Sequence, residues 1–122
     1  MNKIAKLKRK FSRNPFLKFI SGCPYRSAEY DKQVARMIRE LGPESRILDL
    51  GSGSRRRAEK IMNLEIAPMP NVDLVADGHW LPFKDGVFDA VIIEAVLEHV
   101  REPKMVVSEI YRVLKTDGRV YA

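Results

Sequence analysis

The 122-residue chain holds one cysteine, Cys23, and two histidines, His79 and His99. A lone thiol excludes an internal disulfide and any cysteine-based zinc site, fits a reducing, cytoplasmic setting, and leaves no metal site to expect. No apolar run approaches the roughly 20 residues of a membrane helix. Ile20-Ser21-Gly22-Cys23 matches a lipoprotein cleavage site superficially, but Arg13 and Lys18 interrupt the apolar stretch that a signal peptide needs before it. Acids are missing from the front of the chain: Lys3, Lys6, Lys8, Arg9, Lys10, Arg13, Lys18 and Arg26 all precede the first one, Glu29. From Ser27 onward acids slightly outnumber bases. The net charge of +6 therefore belongs to a basic N-terminal arm, residues 1–26, and not to the domain behind it, residues 27–122.

What is present is ordinary for a soluble globular chain, with 45% hydrophobic and 31% charged residues. One domain is expected at this length, large enough to bury a core without staples. In the arm, Ile4, Leu7 and Phe11 recur at helical spacing, Asn14-Pro15 ends that pattern, and Phe16, Leu17, Phe19 and Ile20 form an apolar knot. Ser27 can cap a helix running to about Leu41, with Tyr30, Val34, Ile38 and Leu41 as its apolar stripe and Met37 beside it. Gly42-Pro43 stops it. The run Arg46–Leu50 reads as a buried parallel strand. A short helix is expected over 55–62 and strands over 64–66, 72–77 and 88–93. A helix opened by Pro103 runs to about Lys115, with Gly118 as the left-handed residue after its end and a last strand from Arg119. Alternating strands and helices predict an α/β fold with a mainly parallel sheet.

In such sheets ligands bind beyond the carboxyl ends of the strands. The residues expected there include four acids: Asp49, followed by Leu50-Gly51-Ser52-Gly53, then Glu65, Asp77 and Glu94. Such a set suits a ligand with several donors, such as ribose hydroxyls, an exocyclic amine or an ammonium. The segment "ILDLGSGSRRR" does not fit the dinucleotide fingerprint G-x-G-x-x-G, because Arg56 stands at the third glycine and the acid precedes the first. No Gly-Lys-Ser/Thr follows, which excludes a P-loop.

The stretch from Ile47 to Tyr121 resembles a class I S-adenosylmethionine-dependent methyltransferase of the type 11 group. "ILDLGSGS" resembles motif I, "ADGHWLPF" the segment that holds adenine, "FDAVIIEAVLEHV" the fourth strand and its sequel, and "REPKMVVSEIYRVLKTDGRVY" the following helix and fifth strand. The resemblance implies a Rossmann-like three-layer α/β/α sandwich, S-adenosyl-L-methionine as cofactor, and transfer of its methyl group to an acceptor heteroatom. It assigns cofactor contacts to Asp49, Gly51, Ser52, Gly53, Glu65, Asp77, Gly78, His79 and Glu94. In that scheme Gly51 and Gly53 let the backbone approach the methionine portion, with Asp49 facing its ammonium end. Glu65 takes the ribose hydroxyls, Asp77 the adenine amino group, and the Gly78 or His79 amide a ring nitrogen. Glu94 and His99 are the candidates for catalysis.

The chain departs from the family at three points. Arg55 stands where motif I usually has a third glycine. The link 67–71 is too short for the usual crossover helix, so the strands it joins must be short, or 64–66 is not a full strand. The chain also ends where the fifth of seven family strands begins, so a sheet incomplete at its C-terminal edge is expected. Arg55, Arg56 and Arg57 read as a solvated helix start, with contact to an anionic acceptor as the rival. The acceptor is open: small molecule, glycan and lipid all fit, and nucleic acid is disfavoured because the domain itself is not basic. The arm reads as a lid, a membrane-surface contact or a tail. Two alternatives to an enzyme stand beside this reading: an inactive, truncated cofactor-binding domain and a surface-binding module led by the arm.

Overall fold

A computed structural model describes residues 28–122. The basic arm, its apolar knot and the Ser27 cap lie outside the described residues. The elements in chain order are α1 (Ala28–Leu41), β1 (Ile47–Leu50), β2 (Met62–Glu65), β3 (Leu74–Val75), β4 (Phe88–Ile92), α2 (Pro103–Val113) and β5 (Leu114–Tyr121). The strands form one sheet in the order β3-β2-β1-β4-β5, with every pair parallel. Five of the seven strands that the resemblance implies are therefore formed.

Side-chain alternation along the central strands sends residues to two faces. On one face Ile47, Ala90 and Ile92 pack with Ile61 and with Tyr30, Val34 and Met37 of α1. On the other, Leu48, Leu50, Leu64, Val91, Ile93 and Val120 pack with Val106, Ile110 and Val113 of α2. A helix lies on each face of the sheet, which gives the expected three layers. Asp49, two residues from Ile47, points to the α1 face and is one of two buried polar residues in the described part, with Asn63.

Both crossovers beside β2 lack helices. The helix expected over 55–62 does not form; residues 51–61 run through turns into β2. Three arginines at a helix N-terminus oppose the helix dipole, and here all three are drawn to acids outside the segment. Arg56 donates to the carbonyls of Ile61 and Asn71 at 3.0 Å each and to Asp73 Oδ1 at 2.8 Å. That side chain ties the first crossover to the second. Asp73 in turn accepts the Asn63 amide at 2.8 Å. The second strand lies at 62–65, two residues earlier than expected at its start, and β3 is only two residues long. Short strands are what a helix-free link permits.

The end of α2 also differs from expectation. The helix stops at Val113, and Leu114 is already extended and paired with Phe88. Pairing resumes at Ala90 with Arg119, so residues 115–118 bulge out of β5. The left-handed residue in that bulge is Asp117 (φ 65°), not Gly118. Gly118 is needed for space instead: a β-carbon there would lie 2.8 Å from the Lys115 carbonyl oxygen.

Candidate ligand site at the strand ends

A cavity of about 310 Å³ opens where the carboxyl ends of β1, β2 and β4 meet. This is the point at which strand order reverses, the usual ligand position in open α/β sheets. Its volume is at the lower end for small-molecule pockets. Apolar side chains of Leu50, Leu64, Ile66, Val96, Val100 and Val106 form much of the wall. The polar positions expected from sequence that line it are Glu65 and Glu94, with His99 and the backbone positions Gly51 and Gly78. Asp49, Ser52, Gly53, Asp77 and His79 lie outside the lining.

The loop after β1 is fastened to the end of β2. The amides of Gly51 and Ser52 donate to the Leu64 carbonyl at 2.9 and 3.3 Å, and Gly53 N–H donates to Glu65 Oε2 at 2.9 Å. Ser52 Oγ donates to the Gly53 carbonyl at 3.0 Å. The other Glu65 oxygen, Oε1, accepts the Ile66 amide at 2.9 Å. Each carboxylate oxygen has two acceptor sites, so the group keeps capacity for further donors. Gly51 (φ 76°) and Gly53 (φ 60°) are both left-handed, for different reasons. At Gly51 a β-carbon would also lie 2.2 Å from Val96 Cγ2; at Gly53 the space is open. The clash at Gly51 is therefore with the segment after β4, whatever ligand lies nearby.

Asp77 and His79 form a closed unit. Asp77 Oδ1 accepts the His79 amide at 2.9 Å and lies 2.6 Å from His79 Nδ1. His79 Nε2 accepts the Glu102 amide at 3.2 Å, so the ring is a donor at Nδ1 and ties Asp77 to the start of α2. These contacts, the backbone amide first, hold the Asp77 carboxyl below its ordinary range. The His79 amide, which the resemblance offers to an adenine nitrogen, is committed to Asp77 here; the Gly78 position remains at the cavity wall. The loop beyond is pinned by Arg112, which donates to the carbonyls of Leu81 and Phe83 and to Asp85 and Glu109. Periodicity placed Arg112 only on a helix; its role depends on distant carbonyls that no local pattern marks.

Arg57 corrects the sequence reading most. It is not part of a solvated helix start: its side chain is 7% exposed. It donates to Asp31 Oδ1 at 3.2 Å and to Glu94 Oε2, and its Nε lies 3.4 Å from Asp49 Oδ2. That last contact is an ion pair without hydrogen-bond alignment, since Nε has no hydrogen-bond partner. The guanidinium also sits 5.7 Å from the centre of the Tyr30 ring. Arg55 adds a second pair to Asp31 at 3.2 Å. Burial raises Asp49 most, Arg57 opposes it and Glu94 adds a further upward push, and together they leave its carboxyl pushed up to about 6. Burial and the same anions also raise the Tyr30 hydroxyl above its ordinary range.

Among the described residues no cluster of three or more His, Cys, Asp or Glu is placed to hold a metal, and no helix is long and apolar enough to cross a membrane.

The parallel sheet, its two helical layers and the cavity at the switch point define a Rossmann-like domain of the kind that binds nucleoside ligands. The family model described as "Methyltransferase domain" matches residues 31–122, and the chain belongs to that family. It is similar to a demethylmenaquinone methyltransferase of Thermotoga maritima, 30% identical over 111 residues, covering 75% of this chain and 48% of the relative. An uncharacterized protein of Methanocaldococcus jannaschii is 32% identical over 103 residues, covering 75% and 49%. The crystal structure of the YcgJ protein from Bacillus subtilis shares the fold, with a TM-score of 0.66 at 22% identity, over 77% of this chain and 49% of that one. The chain thus spans half or less of the length of the curated relatives it matches.

Proposed function

We propose that this chain is the cofactor-binding part of an S-adenosylmethionine-dependent methyltransferase. The observation that carries the reading is the cavity at the ends of β1, β2 and β4, with Glu65 in its wall and Gly51 and Gly78 presenting backbone. The residues suit this cofactor. Glu65 provides an anionic acceptor for the two ribose hydroxyls. The apolar wall suits the adenine faces, with Asp77 as acceptor for the exocyclic amine. Glu94, beside the Gly51 loop, faces the amino-acid end, with Asp49 buried behind it. When bound, the cofactor supplies a methyl group already activated on a sulfonium. The task of these residues is then to hold donor and acceptor in line, which can supply most of the rate.

His99 lines the cavity and is exposed, and so stands as the candidate base for an acceptor that must lose a proton. The name of the Thermotoga relative makes a demethylated naphthoquinol the first acceptor class to assay. The basic arm is proposed as a lid or a contact with an anionic membrane surface, separable by vesicle sedimentation with and without residues 1–26.

Calorimetric titration with S-adenosylhomocysteine tests the binding reading. Saturable heat is expected, with at least a tenfold loss on Glu65→Ala and on Asp77→Ala. No saturable heat from the unaltered protein overturns it.

A further inference from the structure

Arg57 has no part in the scheme above, yet it touches two of its acids. Its guanidinium reaches α1 through Asp31, β1 through Asp49 and the end of β4 through Glu94. Of these, Glu94 stands in the cavity wall, and Asp49 lies directly before the Gly51 loop. An arginine fork presents donors in a fixed plane and stays charged at every accessible pH. At 7% side-chain exposure, it is an internal cation rather than a surface charge.

We propose that Arg57 is a positioning residue of the ligand site: it holds the Glu94 carboxylate in the cavity wall and pairs with Asp49 behind it, so that both carboxyl groups are fixed toward the cationic end of the ligand. The proposal rests on the reading of the cavity as a cofactor site. The charged and titratable groups around Asp49 are Tyr30 and Asp31 from α1, Arg55 and Arg57 from the first crossover, and Glu94 from the end of β4. Without the guanidinium, burial and Glu94 act on Asp49 with only Arg55 left to oppose them, and it protonates at a higher pH. Glu94 at the same time loses the partner that orients it.

A merely structural role is the rival, because Arg57 also ties α1 to the sheet through Asp31. Asp31 separates the two. It lies on the α1 side of the cluster, outside the cavity lining, so Asp31→Asn removes the ionic part of the tie without touching the wall.

The experiment is calorimetric titration of the 122-residue protein and its variants with S-adenosylhomocysteine between pH 5 and pH 8, with thermal midpoints recorded in parallel. The unaltered protein is expected to lose affinity as pH falls through about 6. Arg57→Met is expected to weaken binding at least tenfold at pH 7 and to move the midpoint of the pH profile up by about one unit. Arg57→Lys keeps the charge but loses the fork, so it should recover part of the affinity and most of the pH profile. Asp31→Asn should lower the thermal midpoint while leaving affinity within twofold and the profile in place.

Arg57→Met that binds within twofold of the unaltered protein with an unmoved profile overturns the proposal alone. So does Asp31→Asn losing affinity in step with Arg57→Met. If Arg57→Met fails to fold, Arg57→Lys decides: an affinity and profile identical to the unaltered protein overturn the claim that the fork positions Glu94. Failure of the unaltered protein to bind removes the cofactor reading and this proposal with it.

Discussion

A β-carbon placed on Gly51 would lie 2.2 Å from Cγ2 of Val96, so the first turn of the β1 loop and the segment after β4 occupy adjoining space that only a glycine allows. Gly51→Ala should destabilise the protein by about 2–4 kcal/mol, from the left-handed backbone and the overlap together. Gly53→Ala faces only the backbone cost, about 1 kcal/mol. Adding Val96→Ala to Gly51→Ala should recover the steric part, a coupling of roughly 1 kcal/mol between the two sites. Urea denaturation of these three variants and of Val96→Ala alone checks this, and strict additivity of the pair would show that Val96 does not define the constraint.

Asp49 gives stability a pH dependence of unusual sign for a carboxylate. Its folded-state pKa of about 6 lies above the ordinary value of 3.8. The folded state therefore binds more protons than the unfolded state between those values, and stability from this group falls as pH rises from about 4 to 6, then levels. A shift of this size corresponds to on the order of 3 kcal/mol. Asp49→Asn lacks the slope. Between pH 4 and pH 7 the difference in unfolding free energy should move toward the Asn variant by about 1–3 kcal/mol. Comparing differences cancels Asp73, Asp89 and Glu109, whose lowered carboxyls act in the opposite sense. A pH-independent difference would remove Asp49 from the titrating groups.

Arg112 holds the 81–85 segment on α2 with bonds of 2.7–2.9 Å to two carbonyls and two carboxylates. Arg112→Lys cannot reproduce this fork and should cost about 1–3 kcal/mol. Because the same segment follows the Asp77–His79 unit, amide exchange at Gly78–Leu81 should rise more than the global stability loss accounts for. Uniform exchange increases across the sheet would instead show that Arg112 is only a general contributor to stability.

The legible part of the fold was the part set by local pattern. Continuous apolar runs marked β1 and β4, helical spacing marked α1 and α2, and Gly42-Pro43 and Pro103 marked their ends. The short link after β2 announced a missing helix because reach along the chain is a matter of bond lengths. Residues 55–62 were misread because nothing local tells whether an arginine meets water or a buried acid. Asp31, Asp49 and Glu94 come from three elements, and they meet only when β1 pairs with β4. The same applies to the candidate site: the acids at the strand ends could be named in order along the chain. That Glu65 and Glu94 line the cavity while Asp49 and Asp77 stand outside it follows from strand lengths and loop paths, which motif spacing does not encode.

Two of the three acids around Arg57 lie 26 and 37 positions away in sequence, at Asp31 and Glu94. Each such contact carries the entropy cost of closing a loop of that length, and the guanidinium is buried only once acids from three elements surround it. Its interactions should therefore be largely absent from the folding transition state. Arg57→Met is therefore expected to accelerate unfolding while leaving refolding nearly unchanged, which stopped-flow rates in urea check. The cluster then acts as a kinetic latch, prolonging the lifetime of the folded domain while hardly affecting how fast it forms.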